Sequence, residues 1–160
     1  MSVCSATTWW NLMKAFGNDR PLIIPALGRI YSAFGELPET LLRVMAGGAL
    51  VVHGSAKITD PFGAVGMVED LGFYPGVFWS PLLAATEFFG GILLALGLLT
   101  RPAAFATMIV LIVTVYFHWV VQGQGWGGSE KSILWTAILF LFVIRGASRH
   151  SIDVRIGKEF

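Results

Sequence analysis

The sequence predicts an all-α membrane protein built around a bundle of four transmembrane helices. Of its 160 residues, 55% are apolar and only 13% are charged, whereas average globular chains carry roughly 25% charged residues. The apolar residues also gather into four runs of roughly 17 to 20 residues, a length that crosses a ~30 Å hydrocarbon core. We therefore expect one polytopic domain in contact with the lipid bilayer.

The N-terminal segment, residues 1–37, is predicted to lie on the cytoplasmic membrane surface. A helix over residues 21–35 would carry an apolar stripe with basic neighbours, which is typical of interfacial helices. The stripe is Ile23, Leu27, Ile30 and Phe34, and the basic residues are Arg20 and Arg29. No cleavable signal peptide is expected, because the first apolar stretch, residues 21–24, is short.

The four spans are predicted at residues 38–57, 81–99, 102–121 and 129–145. Proline suits the first turn of a helix, where its missing N–H would be unpaired anyway, and Pro38, Pro81 and Pro102 fit this position. Ser80 and Ser129 are suitable N-caps for the second and fourth spans.

Two shorter segments complete the predicted architecture. Asp60-Pro61 is a helix start and Gly72 a helix stop, which predicts a short helix that caps the outer mouth of the bundle. After the fourth span, residues 147–160 are predicted to form a basic cytoplasmic tail.

Basic residues set the expected orientation, because cytoplasmic segments of membrane proteins are enriched in lysine and arginine. In the predicted topology, nine basic residues lie on the side of the two termini and only Lys57 and Lys131 lie on the other. We expect a bacterial-type inner membrane with both termini in the cytoplasm.

Composition also excludes several classes of function. The net charge of +1 gives no basic field for nucleic acid. The single cysteine, Cys4, excludes an internal disulfide, a CxxC redox pair and covalent c-type haem. We predict no metal site formed by protein ligands alone, so redox chemistry would need a bound organic or haem cofactor.

Ionisable residues inside the predicted spans are the candidate functional groups, because a charge in a bilayer is costly unless it is paired or hydrated. Hairpin topology brings them toward one outer-facing cavity: His53, Lys57, Glu87, His118 and Glu130. Glu87 is the candidate catalytic, proton-handling group, the others are candidate ligand-binding groups, and Lys57 is a possible counter-ion for Glu87 or Glu130. Trp119 and Trp135 are candidates for stacking on a planar ligand.

Helical spacing places small residues beside these groups. Gly47 and Gly54 share a face of the first span, and Gly91 shares a face with Glu87 in the second, so these helices can approach closely. Arg43 is expected to be a headgroup anchor or a tie between helices. Each ionisable residue has a structural alternative: Glu87 can lock two helices by hydrogen bonds, the histidines can be hydrated, and Lys57 can reach the interface. Haem ligation is not expected, because spacing alone does not place the two histidines opposite each other.

A set of short motifs between residues 37 and 155 resembles the DoxX/DoxD-like family of small four-helix membrane proteins. The matching elements are Arg43 with Gly47, His53-Gly54-x-x-Lys57, Glu87 with Gly90-Gly91, Leu96-Gly97-Leu98, Thr100-Arg101, Ala103-Ala104, Gly128-x-Glu130 and Ser151-Ile152-Asp153. The resemblance implies a four-helix membrane fold. It also implies an association with quinone-linked sulfur oxidation or with membrane redox-stress complexes.

Three functions remain open at this point. The first is a quinone-linked redox subunit, in which polar groups bind the quinone oxygens and Glu87 relays protons. The second is a non-enzymatic subunit that scaffolds or assembles a larger complex. A small-solute carrier is a weaker third, because four spans form a poor pore unless they oligomerise. A protein partner or a homo-oligomer is expected for each.

Overall fold

The computed structural model describes residues 23–24 and 27–158, and all regular secondary structure in this part of the chain is helical. The helices are α1 (Gly28–Phe34), α2 (Leu37–Thr59), α3 (Val65–Asp70), α4 (Gly76–Leu96), α5 (Thr100–Tyr116), α6 (Gly125–Arg145) and α7 (Ile152–Ile156). A π-helical turn, Phe117–Val121, extends α5. Four stretches are long and apolar enough to cross a membrane: Gly28–Thr59, Gly76–Leu96, Thr100–Val121 and Gly125–Arg145. The predicted all-α class with four membrane-spanning helices is confirmed.

The chain divides into two compact units, one up to Pro38 and one from Glu39 onward. In the first unit, the helix predicted over residues 21–35 is represented by α1. Ile30 and Phe34 on its predicted stripe are more than half exposed. The described helix is shorter than predicted, because residues 23 and 24 are not helical, and Ile23 is exposed. Arg20 and residues 21–22 and 25–26 lie outside the described residues.

The second span begins five residues earlier than predicted, at Gly76 instead of Pro81. The Gly76 N–H donates to the Glu69 carboxylate at 2.8 Å, so a side chain from α3 caps α4. The prediction of Ser80 as an N-cap is therefore wrong: Ser80 is buried inside the helix and its hydroxyl donates to the carbonyl of Pro61 at 2.6 Å. Pro81 lies within α4, which membrane helices tolerate when neighbouring groups satisfy the freed carbonyl.

The fourth span also begins earlier than predicted. Gly123 and Gly125 both have positive φ, at 65° and 58°, so the turn is made by glycines that adopt a left-handed backbone without strain. As a result α6 starts at Gly125, and Ser129 is fully buried inside the helix and is not its N-cap.

Helices α2 and α4 cross with their backbones in contact. A Cβ atom at Gly47 would lie 2.5 Å from the Ala95 nitrogen, and one at Gly91 would lie 2.8 Å from the Gly47 carbonyl oxygen. A Cβ at Gly54 would lie 2.6 Å from the Phe88 nitrogen. These separations are shorter than side chains permit, so only glycine fits at the crossing, as in other close membrane helix pairs.

The bundle continues as α4 packs on α5 and α5 packs on α6. The buried apolar residues of this core come from α2, α4, α5 and α6: Ala46, Leu50, Leu94, Ala104, Leu139 and Phe142.

Residues of the predicted tail fold back onto the bundle. The Asp153 carboxylate is 3% exposed and accepts hydrogen bonds from the Leu99 N–H, the Thr100 N–H and the Thr100 hydroxyl at 2.8–2.9 Å. The fully buried Arg43 donates to carbonyls of Leu94 and Ala95 in α4 and of His150 in the tail, each at 2.9 Å. Arg43 was expected to be either a headgroup anchor or a tie between helices, and in the structure it connects α2 to α4 and to the tail.

Candidate functional site

A cavity of about 290 Å³ lies among α2, α4, α5 and α6. Its polar wall consists of His53, Lys57, Glu87, Thr114, His118, Lys131 and Ser132. Its apolar wall includes Ala46, Leu50, Leu111, Trp135 and Leu139. The cavity is thus amphipathic, with ionisable side chains from each of the four surrounding helices.

Glu87 forms an ion pair with Lys57 in this cavity. The Lys57 ammonium donates to both carboxylate oxygens of Glu87 at 2.6 Å. The Glu87 side chain is only 6% exposed, whereas that of Lys57 is 35% exposed. The carboxylate therefore lies in the protein interior beside a partly exposed counter-ion, an arrangement that offsets much of the cost of burying the charge.

Glu87 lies deeper along its helix than the sequence indicated. It follows the observed start of α4 at Gly76 by eleven residues, which places it ~16 Å along the helix axis at ~1.5 Å per residue. Counted from the predicted start at Pro81, Glu87 would lie only six residues, ~9 Å, along the helix, so the earlier start of α4 accounts for the greater depth.

The two histidines differ in their surroundings. His53 is exposed and has no hydrogen bond to another part of the described chain, although it lines the cavity. His118 is half-buried, and its Nδ1 lies 2.8 Å from the side-chain oxygen of Gln122. His118 also packs edge-on against Phe117, with ring centroids 5.3 Å apart.

Two predicted site residues do not line the cavity. Glu130 is exposed, and Trp119 is 43% exposed and packs edge-on against Trp126. Trp135 does line the cavity, as does Lys131, which the sequence analysis did not select.

One face of α6 lines the cavity, and this explains why Lys131 belongs to the site and Glu130 does not. Its lining residues are Gly128, the adjacent Lys131 and Ser132, Trp135 and Leu139, so that each position is followed by the next three or four residues later. Glu130 falls off this helical face, whereas Lys131 falls on it. Because Lys131 is four residues before Trp135, helical spacing could have identified it as a residue on the cavity face.

The charge balance of the cavity is positive when the histidines are neutral. Glu87 and Lys57 compensate each other, and Lys131 has no hydrogen bond or ion pair with any described residue. Within residues 23–24 and 27–158, no group of three or more histidine, cysteine or acidic side chains is placed to hold a metal ion. The site is therefore equipped to donate hydrogen bonds to ligand oxygens.

Comparisons with known proteins cover most of this site. A family model described as DoxX matches residues 39–119. The chain is also similar to an uncharacterized protein of Haemophilus influenzae, 30% identical over 128 residues, which is 74% of this chain and 90% of the relative. No solved structure matches the chain. The family match includes Glu87, Lys57 and both cavity histidines, whereas α6 lies beyond it.

Proposed function

The chain belongs to the DoxX family of multi-pass membrane proteins, and from this premise we propose that it is a redox subunit whose cavity binds a quinone-type ring. The observation that carries the proposal is the buried Glu87 carboxylate, paired with Lys57 in a cavity that also holds two histidines and a tryptophan. Few membrane proteins bury an acid without using it, so an intramembrane carboxylate is a functional candidate by default.

The size and chemistry of the cavity support a quinone as the ligand. Its volume of about 290 Å³ is just below the ~300–1,000 Å³ typical of small-molecule sites. Trp135 supplies a flat apolar surface, and Lys131 supplies a donor for a ring oxygen. A bound quinone would supply electron and proton transfer, and the electron donor would be a partner protein.

Glu87 is the proton-handling group in this proposal. Its carboxylate can take up a proton released near the ring, while Lys57 holds the charged form in place between transfers. Replacing Glu87 with glutamine keeps the shape and one acceptor oxygen for Lys57 but removes the group that takes up the proton.

Binding and proton handling can be tested separately. Decylubiquinone titrated into purified protein in nanodiscs should quench tryptophan fluorescence saturably, and the Trp135→Phe variant should lose the saturable part. Glu87→Gln should still bind the quinone but show a midpoint potential of the bound quinone that depends less on pH. Absence of saturable binding would refute the quinone proposal.

We also propose that both termini are cytoplasmic and that the cavity faces the outside of the cell membrane. The cavity contains Lys57 and Lys131, the only two basic residues predicted on the outer side, whereas Arg43 and the tail lie at the other end of the bundle. Reporter fusions at Gly125 and at the C-terminus should localise to opposite sides of the membrane. Localisation to the same side would overturn this orientation.

A scaffold function is the second candidate, and the completeness of the Lys57–Glu87 pair favours it. Both carboxylate oxygens already have a partner, so Glu87 can serve solely to join α2 and α4. Full function in the Glu87→Gln variant, together with a defect in Glu87→Leu, would support this role.

A further inference from the structure

The end of α5 contains a local departure from α-helical geometry next to the cavity. Residues Phe117–Val121 form a π-helical turn, and the Gln122 N–H donates to the Phe117 carbonyl, five residues back, at 2.9 Å. The His118 carbonyl accepts from the Gln124 N–H at 3.0 Å. Single π-turns inside α-helices are frequent at functional sites.

The side chain of Gln122 lies next to the imidazole of His118. The two residues are four apart, and side chains at this spacing are neighbours on a helix surface. The amide oxygen of Gln122 lies 2.8 Å from Nδ1 of His118. With the amide oxygen on this side, Nδ1 is the donor and carries the hydrogen, because an amide oxygen only accepts hydrogen bonds.

The other ring nitrogen is then the one available to a ligand. His118 lines the cavity, whereas Gln122 is exposed and does not. Nδ1 is engaged by Gln122, and Nε2 has no hydrogen bond to a described residue. In a neutral imidazole with Nδ1 protonated, Nε2 is an acceptor.

We propose that Gln122 is a positioning residue that holds His118 in the Nδ1–H tautomer, so that Nε2 accepts a hydrogen bond from a ring hydroxyl. The part that concerns the ligand rests on the proposed function. It specifies which form of the ring the cavity prefers: a hydroxyl-bearing, reduced ring donates to Nε2, whereas a ring carbonyl does not. Lys131 remains available as a donor to another ring oxygen.

The tautomer can be measured without any ligand. Long-range ¹H–¹⁵N spectra of histidine-labelled protein in nanodiscs distinguish the two tautomers, and the His118→Asn variant assigns the signals. We expect Nδ1 protonated and Nε2 unprotonated in the native chain. Gln122→Leu should shift His118 toward the Nε2–H form, Gln122→Glu should keep the native tautomer because a carboxylate also accepts, and Gln124→Leu should change nothing.

A native His118 that carries its hydrogen on Nε2 would overturn the proposal, since the Gln122 amide would then present its nitrogen to Nδ1. An unchanged tautomer in Gln122→Leu would overturn it as well. Neither result would affect the quinone-binding test, so the failure of this inference and that of the proposed function are distinguishable.

The ligand preference is tested with two small ring probes. Hydroquinone has hydroxyl donors, and 1,4-dimethoxybenzene has the same ring and oxygens without them. We expect the native chain to bind hydroquinone about 2- to 10-fold more tightly, as one net hydrogen bond provides. The ratio should fall toward unity in Gln122→Leu. Equal binding of the two probes by the native chain would overturn the preference.

Discussion

The Asp153→Asn substitution should destabilise the bundle strongly, although Asp153 lies near the C-terminus. Its carboxylate is 3% exposed and joins the tail to the start of α5 through Leu99 and Thr100. One carboxylate oxygen accepts from the Leu99 N–H, and the other accepts from both the N–H and the hydroxyl of Thr100. The negative charge also stabilises the helix N-terminus, where N–H groups are unpaired.

The magnitude follows from this division of the hydrogen bonds. An asparagine can turn its oxygen toward both donors of Thr100, and its NH₂ group then faces the Leu99 N–H, which loses its acceptor. A lost hydrogen bond to a charged group costs about 1.5–3 kcal/mol, so we expect Asp153→Asn to cost at least about 1.5–3 kcal/mol, to which the lost negative charge at the helix N-terminus adds. Thr100→Val removes only the hydroxyl donor and should cost about 2 kcal/mol.

The native chain and these variants are compared by their free energies of unfolding in detergent micelles, measured by titration with a denaturing detergent. Asp70→Asn is the matched control, because Asp70 is exposed and such surface substitutions change stability by less than about 0.5 kcal/mol. Hydrogen exchange at the Leu99 and Thr100 amides should also accelerate in Asp153→Asn. If Asp153→Asn were as stable as the Asp70→Asn control, the reasoning about this buried cap would be refuted.

Two further predictions concern the α2–α4 contact. Lys57→Met should leave the Glu87 carboxylate buried without its counter-ion and lower the free energy of unfolding by about 3 kcal/mol, the low end for a broken buried pair because Lys57 is partly exposed. The double variant with Glu87→Leu should recover much of this loss. No recovery in the unfolding titration would contradict the pairing. Gly47→Ala should prevent close packing against Ala95 and lower the free energy of unfolding by at least about 1–3 kcal/mol. Its control is Gly48→Ala, which should be nearly neutral because no atom lies within 4 Å of the added Cβ. Equal stability of these two variants would contradict the close contact between α2 and α4.

The fold could be predicted from the sequence because bilayer thickness fixes the length of an apolar helix and apolar runs are visible in the chain. The DoxX resemblance is likewise confirmed by the family match. Helix starts were predicted less well, since the cap of α4 comes from Glu69 on another helix and no local pattern around Ser80 or Pro81 reveals it.

Some contacts of the candidate site could also be predicted from the sequence, and others were missed. The contact between Glu87 and Lys57 could be anticipated, because a buried acid needs a counter-ion and few cations were available. Lys131 was overlooked although helical spacing from Trp135 places it on the cavity face. Gln122 was also overlooked, although its spacing of four residues from His118 makes the two side chains neighbours on a helix. The π-helical geometry of this turn could not be read from the sequence.

Photo-crosslinking with an azido-substituted quinone tests most directly whether the cavity is the ligand site. We predict labelling within residues 46–57 of α2 or residues 128–139 of α6, which line the cavity, and loss of this labelling in excess decylubiquinone. Labelling confined to exposed apolar residues on other faces of the bundle, such as Phe105 and Ile109 of α5, and insensitive to the competitor would contradict the account.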